Sequence, residues 1–304
     1  MPLDPQIEAI LSEFSSLPEP TDVVSYREAA NCLVPPFPAP ELPEVRDMHV
    51  AGAAGLLDAR LYRPKAEDGL PLLVYFHGGG FVIGSLDTHD YLCRSLALLT
   101  GAVVVSVAYR LAPENKFPAA PLDCYHATCD LCKRATELGV DASRLALAGD
   151  SAGGNMSIAV ARQAAAAGHP QIAAIGLLYP ATDGHWVNAS DADLREGYFL
   201  SGRHLVWFWQ NYLQTPAQAT DPLASPLLAE DLHRLPPTSL WIAEYDLLRD
   251  EAEAFAERLS EAGVKIRSKC CEGMIHGFAS MAPLSDRAAA ELEEFAAELR
   301  QALS

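Results

Sequence analysis

Positive charge is scarce in this sequence. Its 304 residues carry 22 Lys and Arg against 40 Asp and Glu, a formal charge of −18, so phosphate backbones and anionic membrane surfaces would repel it. Nucleic acid is excluded as a partner on that ground, and a neutral small molecule is the easier ligand. Long apolar runs are missing too. None approaches the roughly 20 residues a helix needs to cross a bilayer, which argues against stable membrane insertion. The opening stretch MPLDPQIEAILSEF has neither a basic start nor a continuous apolar core, so a cytoplasmic protein is expected. A cysteine framework is lacking as well. The seven cysteines (Cys32, Cys93, Cys124, Cys129, Cys132, Cys270 and Cys271) form an odd set without regular spacing, which suits reduced, mostly buried thiols. Cys129-x-x-Cys132 lies in a helical-looking stretch without a second pair, so neither a zinc set nor a redox turn is read there. Repeats and low-complexity tracts are absent, and only CLVPPFPAPELPE is rich enough in proline to join an N-terminal helical piece to a main domain.

Half of the chain is apolar and a fifth is charged, as in a globular protein with one large core or two small ones. VRDMHVAGAAGLLDARLYRP alternates apolar and polar residues around a glycine, the pattern of two antiparallel edge strands. Beyond it come the runs LPLLVYF, AVVVSVAY, RLALAG, AAIGLLYP, SLWIAEYD and VKIRSKC, with helical patterns between most of them. Continuous apolar strands of this kind are buried on both faces, which predicts an α/β fold with a mostly parallel sheet between helices. In such sheets ligands bind beyond the carboxyl ends of the strands.

The residues with chemistry to offer all follow predicted strands. GDSAGG follows RLALA and places Ser151 in the Gly-x-Ser-x-Gly spacing of a nucleophile elbow, a turn so sharp that glycine is needed on both sides. HGGGF, from His77 to Phe81, follows LPLLVYF; Asp246 follows SLWIAEY; His276 follows VKIRSKCCEGMI. Each alone has a plainer reading: an ordinary turn, a flexible glycine loop, a helix N-cap, a capped loop histidine. Together, in this order, they supply what a serine needs to attack a carbonyl. An imidazole takes the hydroxyl proton, a carboxylate holds the imidazole in the right tautomer, and backbone N–H groups receive the developing oxyanion. Ser151, Asp246 and His276 are accordingly assigned as nucleophile, acid and base.

The stretches HGGGFVIGSLDTHD, YRLAPENKFPAA, GDSAGGN, YDLLRDEAEAFAERLSEAGV and IHGF, in that order over roughly residues 70 to 300, resemble the hormone-sensitive-lipase-like (family IV) microbial carboxylesterases of the α/β-hydrolase fold. Leu247 stands where that family usually has proline after the acid. The resemblance implies hydrolysis of carboxylic esters of short to medium acyl chains through an acyl-enzyme, with no cofactor and no metal, on a small apolar ester. It also implies an oxyanion hole from the N–H groups of Gly79, Gly80 and Ala152, with His77 and Gly78 shaping the loop. Asp150 is expected to be a structural hydrogen-bonding group, and Arg110 and Glu114 to brace the loop floor. A helical cap is implied from residues 1–45 and an insertion at about 184–218, the catalytic domain being 46–304. Of the aromatics in LREGYFLSGRHLVWFWQNYL (Tyr198, Phe199, Trp207, Phe208, Trp209 and Tyr212), one face is expected to line the acyl pocket. An amidase, formamidase or lactonase would use the same triad, and a small-molecule receptor could use the same fold. The oligomeric state is left open, a dimer included.

Overall fold

The computed structural model describes residues 2–13, 22–31, 37–188 and 198–304. Eight strands form a single sheet: β1 (Glu44–Ala51), β2 (Leu56–Arg63), β3 (Leu70–Phe76), β4 (Val103–Val107), β5 (Val140–Asp150), β6 (Ala174–Leu178), β7 (Thr238–Tyr245) and β8 (Ile266–Ile275). Their order across the sheet is β1-β2-β4-β3-β5-β6-β7-β8. β2 is antiparallel to both β1 and β4, and every other pairing is parallel. This is the α/β-hydrolase fold, and the two alternating antiparallel strands expected between residues 45 and 64 are β1 and β2, of which only β1 lies at the edge, β2 being paired on both sides.

The apolar runs are strands because both faces of the sheet are covered. In β3, Leu72, Val74 and Phe76 enter one hydrophobic cluster while Leu73 and Tyr75 enter the other, as the two-residue period of a strand requires. One cluster is completed by α4 (Ala119–Lys133), α5 (Ala152–Ala167) and α7 (Arg249–Glu261). The other is completed by α3 (Asp90–Thr100) and α8 (Asp286–Ala302). α8 shows how the sequence directs this: Ala288, Leu292, Phe295, Ala296 and Leu299 share one buried stripe, and the Ser285 hydroxyl accepts from the Ala288 N–H at 3.2 Å to cap its start. Burying one such large apolar side chain contributes about 1.5–3 kcal/mol.

The chain runs from β3 outward to β4 and then crosses back to β5, which lies on the other side of β3. Neighbouring strand ends therefore send their loops apart, and a crevice opens between them. Phe76 and Gly149 are in register across that point, so the loop after β3 and the turn after β5 leave the sheet side by side. β8 runs farther than its apolar start suggested. The four steps from Cys271 to Ile275 lie against only two on β7, from Ala243 to Tyr245, and this irregularity carries the strand on to Ile275, immediately before His276. Three further helices, α1 (Pro5–Glu13), α2 (Val23–Asn31) and α6 (Gly202–Tyr212), contribute side chains above this edge of the sheet.

Candidate active site

Ser151 closes the sharp turn between β5 and α5. Its φ of 52° and ψ of −120° lie outside the usual regions for an L-residue, a strain of about 1–3 kcal/mol that only an over-determined surrounding sustains. The glycines around it show why the turn is so tight. A Cβ on Gly149 would meet the backbone of Gly153 and the Phe76 carbonyl, and one on Gly153 would run into the same carbonyl oxygen. The Ser151 N–H donates to the Leu178 carbonyl at 2.9 Å, which fixes the turn against β6.

His276 reaches this serine from the end of β8. Its Nε2 lies 3.0 Å from Ser151 Oγ, and its Nδ1 lies 2.6 Å from Asp246 Oδ2. A carboxylate only accepts, so Nδ1 carries the hydrogen and the Nε2 lone pair faces the hydroxyl. The second oxygen, Oδ1, accepts the Leu248 N–H at 3.0 Å, which fixes the plane of the Asp246 carboxylate. Ser151 and His276 are buried and the Asp246 side chain is 1% exposed, so water competes little for any of these bonds. All three residues singled out by the sequence thus come together in one hydrogen-bonded line.

The loop after β3 lies alongside. Gly79 and Gly80 have φ of +111° and +57°, and Phe81, a non-glycine, has +67°. The Gly79 carbonyl accepts from the N–H groups of Val82 and Ile83 at 3.0 and 2.9 Å. Among the described residues, no protein acceptor takes the N–H of Gly79 or Gly80, and Ala152 is the first residue of α5. The inner end of the loop is tied to the core. Tyr109 OH donates to the His77 carbonyl at 2.7 Å, and the Gly78 N–H donates to Asp150 Oδ1 at 2.9 Å. Tyr75 OH donates to the same oxygen at 2.6 Å, and His89 Nε2 stands 3.4 Å from Oδ2. Burial by itself would push the Asp150 carboxyl up, but the neighbouring His89 ring and the hydrogen bonds from His89 and Tyr75 bring it down to about 2. Asp150 is therefore the structural group expected, anchored to the loop rather than to Ser151 or His276. Burial and the nearby His89 ring lower His77 to about 4, so its neutral ring donates from Nδ1 to the Gly78 carbonyl at 2.7 Å.

A cavity of about 220 Å³ opens over Ser151. The polar groups in its wall are few, and aliphatic and aromatic side chains make up most of it, among them Leu11, Ala30, Leu205, Phe208, Trp209 and Met281. Of the six aromatics considered, Phe199, Phe208 and Trp209 reach the cavity. Tyr212 stacks on Phe81 with centroids 3.8 Å apart, Trp207 packs edge-on to Tyr26, and Tyr198 is 47% exposed. Residues 189–197 of the expected insertion and 14–21 and 32–36 of the N-terminal segment lie outside the described residues.

Two expectations shift. Arg110 does not brace the loop: its guanidinium donates to the buried Asp123 at 2.6 and 2.9 Å, tying α4 to the segment after β4. Glu114 reaches the loop only through Arg27 of α2, which it holds at 2.8 Å. Arg27, Tyr75 and His89 were not found from the sequence. His89 stood inside a recognised stretch, but nothing local marked its partner, and Arg27 meets the loop only across 55 residues of chain.

The profile of a family described as alpha/beta hydrolase fold matches residues 73–280. The chain is 37% identical to the carboxylic ester hydrolase LipN of Mycobacterium tuberculosis over 99% of its own length and 84% of that protein's. It is 41% identical to an ethyl acetate hydrolase of Pseudomonas putida, over 76% of this chain and 74% of the other. Among solved structures, a hyperthermophilic esterase from the archaeon Pyrobaculum calidifontis superimposes with a TM-score of 0.90 at 38% identity, covering 100% of both chains.

Proposed function

Since the chain belongs to the α/β-hydrolase-fold family and is a carboxylesterase that cleaves esters with a serine, we propose that Ser151 is its nucleophile, His276 its general base and acid, and Asp246 the carboxylate that orients His276. The observation that carries this assignment is the unbroken line from Asp246 Oδ2 through His276 to Ser151 Oγ, at 2.6 and 3.0 Å. Ser151 Oγ attacks the ester carbonyl while Nε2 takes its proton. The carbonyl oxygen becomes negative and is met by the N–H groups of Gly79, Gly80 and Ala152. Collapse of the tetrahedral intermediate expels the alkoxide, which receives the proton from Nε2, leaving Ser151 acylated. A water then repeats the sequence, with Nε2 taking its proton, and releases the carboxylic acid and free Ser151.

The substrate we infer is a small apolar ester of short to medium acyl chain. A cavity of about 220 Å³ with mainly apolar walls supports it, being smaller than the roughly 300–1,000 Å³ of drug-sized sites. Residues 1–45 and 184–218 form the cap of this reading, supported by the cavity side chains that α1, α2 and α6 supply. No helix among the described residues is long and apolar enough to cross a membrane, and the six described cysteines are free thiols, which supports a reducing compartment such as the cytoplasm. Replacing Ser151 by Ala tests the assignment: hydrolysis of a p-nitrophenyl butyrate should fall to the solution background. Activity within tenfold of the wild type would remove Ser151 from the reaction.

A further inference from the structure

The loop that carries Gly79 and Gly80 is gripped from two sides. Its inner end is held by the core through Tyr109 and Asp150. Its outer end, Phe81 to Ile83, faces α2 and α6. Phe81 stacks on Tyr212 of α6, and a Cβ on Gly80 would run into the Phe208 ring, so α6 sits directly on a residue of the cavity wall. The strongest polar tie comes from Arg27 of α2. Its Nε donates to the Val82 carbonyl at 2.7 Å, and one terminal nitrogen donates to the Ala112 carbonyl, also at 2.7 Å. Both terminal nitrogens meet Glu114 at 2.8 Å. Ala112 is itself bound to the loop, its N–H donating to the Phe81 carbonyl at 3.0 Å. A single guanidinium thus spans the loop, the segment behind it and an acid that fixes its own orientation, a use of the planar fork that an ammonium cannot reproduce. The preceding residue, Tyr26, packs on Trp207 and Phe208, so α2 and α6 bear on the loop as one layer.

From this arrangement we propose that Arg27 is a positioning residue of the oxyanion hole. It fixes the outer end of a loop in which Phe81, a non-glycine, holds a positive φ that is costly to keep, so the helices that wall the cavity also set the donors that receive the transition-state charge. The inference rests on the proposed roles of Ser151, Gly79 and Gly80. Donors misplaced by about 1 Å can cost up to about 10²-fold in the stabilisation of a developing oxyanion while leaving ground-state binding in an apolar cavity nearly unchanged.

The test compares Arg27→Gln and Arg27→Lys with the wild-type full chain, using hydrolysis of p-nitrophenyl butyrate and inhibition by an alkyl trifluoromethyl ketone. That ketone forms a tetrahedral oxyanion adduct with the nucleophile, so its affinity reports on the hole. Arg27→Gln should lower kcat about tenfold or more with KM within about twofold, and weaken the ketone by a similar factor. Arg27→Lys, which keeps one donor for Val82, should fall between. A loss confined to KM, a kcat within twofold of wild type, or a fallen kcat with unchanged ketone affinity would overturn the proposal. If Arg27→Gln does not fold, Arg27→Lys decides by the same criteria at about threefold. Ser151→Ala keeps the two readings apart: retained activity there overturns the assignment of the nucleophile, whereas the Arg27 variants bear on the hole alone.

Discussion

Three aspartates stand close enough in sequence to the site to be considered for orienting His276, and their surroundings separate them. Asp246 has one oxygen on His276 Nδ1 and the other on the Leu248 N–H. Asp150 adjoins the nucleophile but spends its oxygens on Gly78, Tyr75 and His89, and Asp250 lies in the first turn of α7. Asp246→Asn should keep the fold and lower kcat by about 10⁴, because an amide can favour the wrong imidazole tautomer and offers the imidazolium no charge. Asp250→Asn should stay within about threefold, a surface change of small effect. Circular dichroism with kcat on one butyrate ester checks both. Asp150 makes a different prediction, in stability. Its folded pKa of about 2 lies below the ordinary 3.8, so the unfolded chain binds the proton first as pH falls. The stabilisation is essentially complete above about pH 5 and is lost progressively as pH falls through about 2, a contribution of about 2 kcal/mol. Denaturant unfolding across that window should show a shallower acid decline for Asp150→Asn than for the wild type; parallel declines would contradict the role given to this carboxylate.

At the scale of elements, the strands were legible because burial on both faces leaves uninterrupted apolar runs, and β3 was found to its ends as LPLLVYF. The site residues were legible for the same reason, since each follows a strand. What is made by contacts far apart in sequence was not. The fork of Arg27 and the pairing of His89 with Asp150 leave no periodic trace, and α6 carries aromatics on several sides, so which of them meet the cavity is settled by packing against Tyr26 and Phe81. The elbow illustrates how strictly two elements are joined. A methyl on Gly153 would meet the Phe76 carbonyl, backbone on both sides, with no side chain to move away. Gly153→Ala should therefore cost roughly 3 kcal/mol or more of stability, read as a lowered midpoint in urea. An unfolding free energy within about 0.5 kcal/mol of wild type would mean that α5 can shift off β3.

The whole molecule is strongly acidic, with a charge of −18, and its cavity wall is largely apolar. Esters with an added carboxylate meet both obstacles. A mono-succinate ester should show kcat/KM about tenfold or more below the matching butyrate, with part of the gap closing as ionic strength rises, because salt screens the charge on the molecule but leaves the apolar wall unaltered. Chain length reads the cavity itself: butyrate or hexanoate should be turned over faster than palmitate, each buried methylene contributing about 0.8 kcal/mol only as far as the walls reach. Both of these substrate expectations depend on Ser151 attacking the carbonyl with His276 as its base. The direct measurement is covalent capture: treat the protein with a fluorophosphonate until hydrolysis stops, digest it, and locate the adduct by mass spectrometry. The account predicts one phosphonyl group per chain, on the Oγ of Ser151, and a rate of capture that collapses in His276→Ala. An adduct on any other residue, or full capture at an unchanged rate without His276, would contradict it.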